Sequence, residues 1–341
     1  MGVDLRKIVK PRKIQLSSLS GRTIAIDAYN TIYQFLSIIR GASGENLKDT
    51  SGRITSHLSG LFYRNVNLLS FGMKPIYILD GKPPELKSAE IQRRRVIKQE
   101  SIIRYENALR QGDLDAAKKF AKATSTMRSY MIDDTKRILS LLGIPWLNAP
   151  SEGEATAAHL TKVGVATHAA SQDYDSILFG ATKLIRNLAI SGKRKLPNRA
   201  VYVNVEPEEV ELRHVLEKLG ISREQLIDVG ILLGTDFNPD GFERIGPATA
   251  LKYIKQYERL EDIPSIKVKL STMDYQAVRD IFLNPKVTSF PSVNWSDVDA
   301  DKIVDFLCGE RDFSEERIRS ALRKLEERNE SQSQSLNRWF G

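Results

Sequence analysis

Short apolar runs that close on an aspartate constrain this chain more than any other feature. Thr23-Ile-Ala-Ile-Asp27 and Pro75-Ile-Tyr-Ile-Leu-Asp80 read as buried strands, and residues 166–171 form a third run leading into Gln172-Asp173-Tyr174-Asp175. Helix-like stretches lie between and after them, at Ile32 to Ile39, Leu58 to Phe71 and Asp133 to Leu142. Strands alternating with helices predict an α/β fold, a mainly parallel central sheet flanked by helices. Further strands are expected at Lys183–Arg186 and Val201–Val205. In open α/β sheets the working groups gather beyond the carboxyl ends of the strands, which is where these aspartates sit. From Glu206 onward the pattern turns helical, with helices expected at Glu209 to Leu219, Arg223 to Leu233 and Ala248 to Tyr257. Ser314 to Arg328 carries Ile318, Ala321, Leu322 and Leu325 at i, i+3, i+4 and i+7, the stripe of a packed amphipathic helix. Residues 329–335 are polar and read as a flexible tail.

Composition narrows the chemistry. One cysteine, Cys308, excludes an internal disulfide framework and a cysteine-rich zinc site, and four scattered histidines make a histidine metal site unpromising. No apolar run approaches the roughly 18 residues of a spanning helix, and the N-terminus lacks the apolar core of a secretion signal. The expectation is an intracellular, cytoplasmic protein with no membrane association. Lys and Arg number 51 against 43 acids, a net charge of +8 over 341 residues. Residues 87–131 alone hold eleven Lys or Arg and five acids. That segment favours helix but has no continuous apolar stripe, so it is either a solvated excursion or a basic arm over a polyanion.

Seven acids stand out by position: Asp27, Asp80, Glu152, Glu154, Asp173, Asp175 and Asp236. Each has an ordinary structural alternative. A strand-end aspartate can start a turn, and Ser151-Glu152-Gly153-Glu154 reads as a capping box with Ser151 as N-cap. Together they say more. If the strands ending at Asp27, Asp80 and Asp173 are neighbours, like charges converge and call for a cation. Magnesium, a hard ion taking oxygen ligands and keeping several waters, suits such a site. A pair of these ions activates a water and stabilises the leaving oxygen in phosphodiester cleavage, while surrounding Lys and Arg hold the nucleic-acid backbone.

The chain resembles the flap endonuclease family. The likeness is carried by Gly2-Val-Asp4, Asp27, Tyr33-Gln-Phe-Leu36, Thr55-Ser-His-Leu-Ser-Gly60, Phe62-Tyr-Arg64 and Asp80-Gly-Lys-Pro-Pro84. Ala149-Pro-Ser-Glu-Gly-Glu-Ala155, Ser171-Gln-Asp-Tyr-Asp175 and Gly234-Thr-Asp236 continue it in family order, so it spans essentially the whole sequence. The short length looks archaeal. The resemblance implies a 5′-flap endonuclease and 5′→3′ exonuclease of DNA replication and repair that uses two Mg2+ ions. It implies that Asp27, Asp80, Glu152 and Glu154 hold the first ion, and Asp173, Asp175 and Asp236 the second. It also implies that Lys87 and Arg94, seven residues apart and so two turns along one helical face, act on the scissile phosphate.

Other roles follow from the same likeness. Gly2 comes near the site, Tyr33 stacks on a base, and Thr55 and Arg64 belong to a pocket for a one-nucleotide 3′ flap. Residues 87–131 form a basic helical arch over the single-stranded flap, with Arg93 among the DNA contacts. The implied regions are a nuclease part at 1–98, an internal part at 116–258, a C-terminal helical part at 259–328 and a tail at 329–341. The internal part includes a helix–hairpin–helix whose Gly246 and Lys252 meet the duplex and which takes a K+ ion. In that hairpin Arg244 stands where the family has its first glycine. Leu336, Trp339 and Phe340 resemble a sliding-clamp (PCNA) interaction box, with Ser333 at the usual glutamine position. The expected partners are branched DNA carrying a 5′ flap and the clamp, bound by a monomer. Some 70 residues separate Asp80 from Glu152, which leaves room for an arch but not for a long spacer domain.

Overall fold

The computed structural model describes residues 2–41, 44–195, 202–288 and 292–340, with side chains throughout except at 122, 192–204 and 328–340. Its strands are β1 (Arg12–Lys13), β2 (Thr23–Asp27), β3 (Lys74–Leu79), β4 (Trp146–Asn148), β5 (His168–Ala170) and β6 (Lys183–Arg186), then β7 (Gly192–Lys195), β8 (Tyr202–Val205) and β9 (Glu208–Glu211). Helices α1 (Ala28–Ile38), α2 (Ser56–Ser70), α3 (Ser88–Arg110), α4 (Leu114–Ala121), α5 (Ser129–Leu141), α6 (Gly153–Lys162) and α7 (Asp175–Leu178) fill the first half. The second half holds α8 (Leu212–Leu219), α9 (Arg223–Leu233), α10 (Pro247–Tyr257), α11 (Lys267–Leu270), α12 (Tyr275–Leu283), α13 (Ala300–Val304) and α14 (Glu315–Phe340).

Among the described residues the central sheet runs in the order β1-β9-β6-β5-β2-β3-β4. The five strands from β6 to β4 are parallel, and β9 pairs antiparallel with both β6 and β1. The parallel strands are buried on both faces, as helix-covered parallel strands must be. Ala25, Ile76 and Ile78 enter one core with α6, α9, α10 and α12. Ile24, Ile26, Tyr77 and Leu79 enter the other with α1, α2, α5 and α14. Chain order passes from β2 outward through β3 and β4, then returns to β5 on the opposite side of β2. The reversal opens a crevice at the carboxyl ends of β2, β3 and β5, the place where such sheets bind ligands.

Two expectations are corrected. The helix expected from Glu209 starts at Leu212, because Glu208–Glu211 joins the sheet edge as β9. Val210 faces the core while Glu209, also buried, is met by Arg12 and by His168 Nε2 at 3.1 Å. Strand pairing therefore overrides the helix preference of a glutamate-rich run. The strand expected at 201–205 is present as β8, in a separate two-stranded ribbon with β7, and residue 201 lies outside the described residues. The backbone of α14 continues to Phe340 through the stretch expected to be a polar tail, and the side chains of Leu336, Trp339 and Phe340 lie outside the described residues.

Residues 87–131 form α3 and α4, which pack against each other away from the sheet. Val96, Ile97 and Ile103 of α3 are exposed, as expected for a helix with little core to face. The far end of this excursion is tied down where Arg40 donates to Ser125 Oγ at 2.8 Å and to Gly44 O at 2.8 Å. Gly44 has φ +91°, and a Cβ there would lie 3.2 Å from Lys118 Cα, so the turn needs glycine to let α4 approach.

Candidate active site

Six of the seven acids lie between a strand end and the first turn of the helix after it, and Asp236 follows the C-terminus of α9. Asp27 ends β2 and caps α1, accepting from Asn30 N at 2.9 Å, so its structural and site roles coexist. Asp80 follows β3 and accepts from Gly153 N at 2.7 Å, which pins the start of α6 against it. A Cβ on Gly153 would stand 2.6 Å from Asp80 Oδ1. Asp175 opens α7 and accepts from Val3 N at 2.7 Å, and the chain at Gly2 passes so close to its carboxylate that only glycine fits.

The capping-box reading at Ser151 fails. Helix α6 begins at Gly153 with Glu152 as N-cap and no side-chain cap bond. Glu154 instead turns into the crevice, where Ser171 Oγ donates to Glu154 Oε1 and accepts from Asp173 N at 3.2 Å. Asn30 Nδ2 donates to Asp173 Oδ2 at 3.1 Å.

The basic pair enters from the start of α3. Lys87 Nζ donates to Glu152 Oε2 and lies 3.3 Å from Asp236 Oδ2. Arg94 bridges Glu90 Oε1 at 2.7 Å and Asp236 Oδ1 at 2.6 Å. Both cations thus reach the acids from one helical face, and Glu90, which the sequence did not single out, steers the guanidinium.

The pocket strains against its own charge. Burial, then Asp80 and Asp173, push the Asp27 carboxyl well above the usual carboxylate range. Burial, Asp175, Asp27 and Asp173 do the same to Glu154. Burial and Glu152 lift Asp80 to about 6, and burial with Asp236 and Asp173 lifts Asp175 to about 7. Asp236 is the exception: burial raises it, but Lys87 and Arg94 outweigh burial and hold it below the ordinary value. Acids from separate elements therefore feel one another's charge at the carboxyl edge of the sheet. Among the described residues no group of three or more acids, histidines or cysteines stands ready-made to hold a metal ion. An all-oxygen, electrostatically overloaded and open donor set fits hard divalent cations that keep part of their water.

The remaining sequence-named residues divide. Tyr33 is 44% exposed on α1. Arg93 is exposed and 3.5 Å from Asp240 Oδ1. Thr55 is buried before α2, and Arg64 is spent inside the chain, donating to Ala189 O at 2.9 Å, Ser191 Oγ at 3.0 Å and Ser191 O at 2.7 Å. Gly246 caps α10 ahead of Pro247, and exposed Lys252 and Lys255 flank an open groove on that helix. Arg244 adopts φ +62°, in the left-handed region that favours glycine.

With this geometry in place, likeness to known proteins decides the family. The XPG N-terminal domain model matches residues 1–101 and the XPG I-region model residues 143–236, which between them contain all seven acids. Flap endonuclease 1 of Nitrosopumilus maritimus is 52% identical over 340 residues, covering 100% of both chains. That of Methanosarcina barkeri is 47% identical, again over 100% of both. The chain belongs to the flap endonuclease 1 family. Membership makes it a DNA nuclease, of a family whose members are metal-dependent. The solved flap endonuclease-1 of Methanococcus jannaschii superposes with TM-score 0.76 at 35% identity, over 97% of this chain and 100% of that one. The catalytic core of Rad2 in complex with DNA substrate shares the fold, with TM-score 0.71 at 24% identity over 95% of this chain and 100% of that one.

Proposed function

We propose that this chain is a structure-specific 5′-flap endonuclease and 5′→3′ exonuclease, acting in Okazaki-fragment maturation and long-patch base excision repair. The reading is carried by acids that crowd the sheet's carboxyl edge and by Lys87 and Arg94 reaching them from the start of α3. Asp27, Asp80, Glu152 and Glu154 would hold one Mg2+ and Asp173, Asp175 and Asp236 a second. When bound, such ions supply an activated water and stabilise the leaving oxygen. Lys87 and Arg94 lend positive charge to the phosphate as it gains negative charge, an effect worth a few kcal/mol in a dehydrated site. Tyr33 offers an exposed ring for a base beside the cut, and base stacking contributes about 1–3 kcal/mol. The basic face of α3 and α4, with Arg93, tracks the single-stranded flap. Thr55 and Arg64 shape the wall near the 3′ flap from within the fold. Gly2 lets the N-terminus approach Asp175.

A labelled double-flap duplex tests this reading. Cleavage at the flap base should require Mg2+ and exceed cleavage of a four-way junction by at least tenfold. Equal rates on both substrates would contradict it.

Duplex binding falls to the hairpin before α10, through Gly246, Lys252 and Arg244. A left-handed backbone at Arg244, φ +62°, supports a tight turn there whose carbonyls would face a K+ ion. An arginine held there stores about 1–2 kcal/mol of strain, against about 0.5–1 kcal/mol of added chain entropy when glycine replaces it. Arg244→Gly should therefore raise stability by about 0.5–1 kcal/mol, yet lose one phosphate contact. The slope of log binding constant against log salt should fall by about 1. An unchanged slope would remove Arg244 from the interface.

The last turns of α14 carry the clamp-binding residues Leu336, Trp339 and Phe340, an i, i+3, i+4 apolar set suited to a partner's groove. Deleting residues 332–341 should leave basal cleavage intact and abolish stimulation by a PCNA-type clamp; persistent stimulation would refute the assignment. We place the enzyme in the cytoplasm as a monomer on chromosomal DNA.

A further inference from the structure

Asn30 stands three residues after Asp27, on the first turn of α1, and grips two of the seven acids at once. Its backbone N donates to Asp27 Oδ1 at 2.9 Å, and its side-chain Nδ2 donates to Asp173 Oδ2 at 3.1 Å. Those acids come from different strands, β2 and the segment after β5. The Asn30 amide is itself oriented. Gln34, one helical turn on, donates from Nε2 to Asn30 Oδ1 at 2.8 Å, the i, i+4 spacing at which helix side chains meet. Because Gln34 supplies a donor, Asn30 must present its oxygen to Gln34 and its NH2 to Asp173.

Gln34 is confined in turn. Its Oε1 is buried with no hydrogen-bond partner among the described residues, at the edge of a cavity of about 10 Å³ also lined by Arg64, Ser171 and Gln172. That is room for about one water molecule. Rotating the amide would put its NH2 where the oxygen now sits and leave two oxygens facing each other at Asn30.

We propose that Asn30, oriented by Gln34, is a positioning residue that fixes Asp173 relative to Asp27 and thereby sets the spacing between the two halves of the metal site. The inference rests on the two-metal reading above, in which Asp27 belongs to the first ion and Asp173 to the second. Partners of metal-ligating carboxylates typically contribute 10–100-fold to metal affinity.

Gln34→Glu is the sharpest test, because it keeps the shape and reverses one hydrogen bond. The glutamate can only accept, so Asn30 turns its NH2 toward residue 34 and its oxygen toward Asp173. Asn30→Leu removes the donor with little change in volume. Mn2+ binding to the DNA-free protein, followed by electron paramagnetic resonance and calorimetry, reads the site without turnover. Both variants should weaken the second Mn2+ by about tenfold or more and leave the first within about threefold. Melting temperatures should stay close to the parent's, and kcat should fall with KM for DNA unchanged. Gln34→Met, which neither donates nor reverses the bond, should fall between parent and Gln34→Glu. Two unchanged Mn2+ affinities in Gln34→Glu would overturn the relay alone. Equal weakening of both ions together with a lowered melting temperature would make it a folding effect and overturn it too. A parent protein that binds no second Mn2+ would sink the two-metal reading, and the relay with it.

Discussion

Asp175→Ala should lower flap cleavage by about a thousandfold or more, while affinity for the flap duplex stays within about threefold. The loss corresponds to the several kcal/mol of transition-state stabilisation that a catalytic metal supplies. Asp175 is buried at the start of α7, faces Asp173 and Asp236, and does not line the groove on α10 proposed to meet the duplex. Asp175→Asn separates chemistry from folding, because its amide oxygen still accepts from Val3 N. The parent carboxyl, raised to about 7 by burial and by Asp236 and Asp173, keeps its proton in the folded state over a range where the unfolded chain has lost it. Stability due to this group therefore falls as pH rises from about 4 to 7. Asparagine removes that penalty. At pH 8 without divalent ions, Asp175→Asn should be more stable than the parent by on the order of 2 kcal/mol. Added Mg2+ should raise the parent's melting temperature more than the variant's. Binding lost in step with activity would deny Asp175 its catalytic role.

Asp134→Ala should produce the largest loss of stability outside the active site. Asp134 on α5 is buried and draws in three partners from separate parts of the chain. Arg311 Nη2 lies 3.2 Å from Oδ1, while Arg53 Nη2 and His57 Nε2 lie 3.6 and 3.5 Å from Oδ2. The cluster ties α2, α5 and the segments before α2 and α14 together. Alanine would leave two guanidinium groups without the acid they face, which costs about 3–5 kcal/mol. For a chain of 341 residues that is roughly 4–7 °C in melting temperature. The pH dependence has a definite sign. Burial raises the Asp134 carboxyl, but His57 beside it and the bond from Arg311 outweigh burial and hold the group below its ordinary value. Its contribution is therefore complete above about pH 4 and is lost as pH falls further. Burial also holds His57 neutral, below the usual histidine range. Stability should thus start to fall once pH drops below about 6.5, where the unfolded chain takes up the proton first. Thermal melts from pH 8 to 4 check both limbs. A destabilisation under about 1 kcal/mol would show the cluster to be solvent-screened.

Much of this architecture is legible in the residues because local and tertiary preferences agree there. The β2 and β3 runs are apolar on both faces, which only a helix-covered parallel strand satisfies, and their closing aspartates mark the crevice. Helix α9 is bounded by Ser222, a true capping box with Gln225, and by Gly234, so its limits are readable to the residue. The misreadings fall where distant partners decide. Glu209 looks helical until Arg12 and His168 are known to receive it. Ser151 and Glu154 have capping-box spacing, yet Ser171, seventeen residues later, claims the Glu154 carboxylate. The bonds that hold Arg64, to residues 189 and 191, are likewise visible only in the fold. Asn30 and Glu90 carry no motif of their own. Their task appears only when β2, the segment after β5 and α3 are brought to one place.

Crystals soaked in Mn2+ and measured at the manganese edge test the two-metal pocket most directly. Two anomalous peaks about 3.5–4 Å apart are expected, one against Asp27, Asp80, Glu152 and Glu154 and one against Asp173, Asp175 and Asp236. A single peak, or peaks outside the crevice between β2, β3 and β5, would contradict the account.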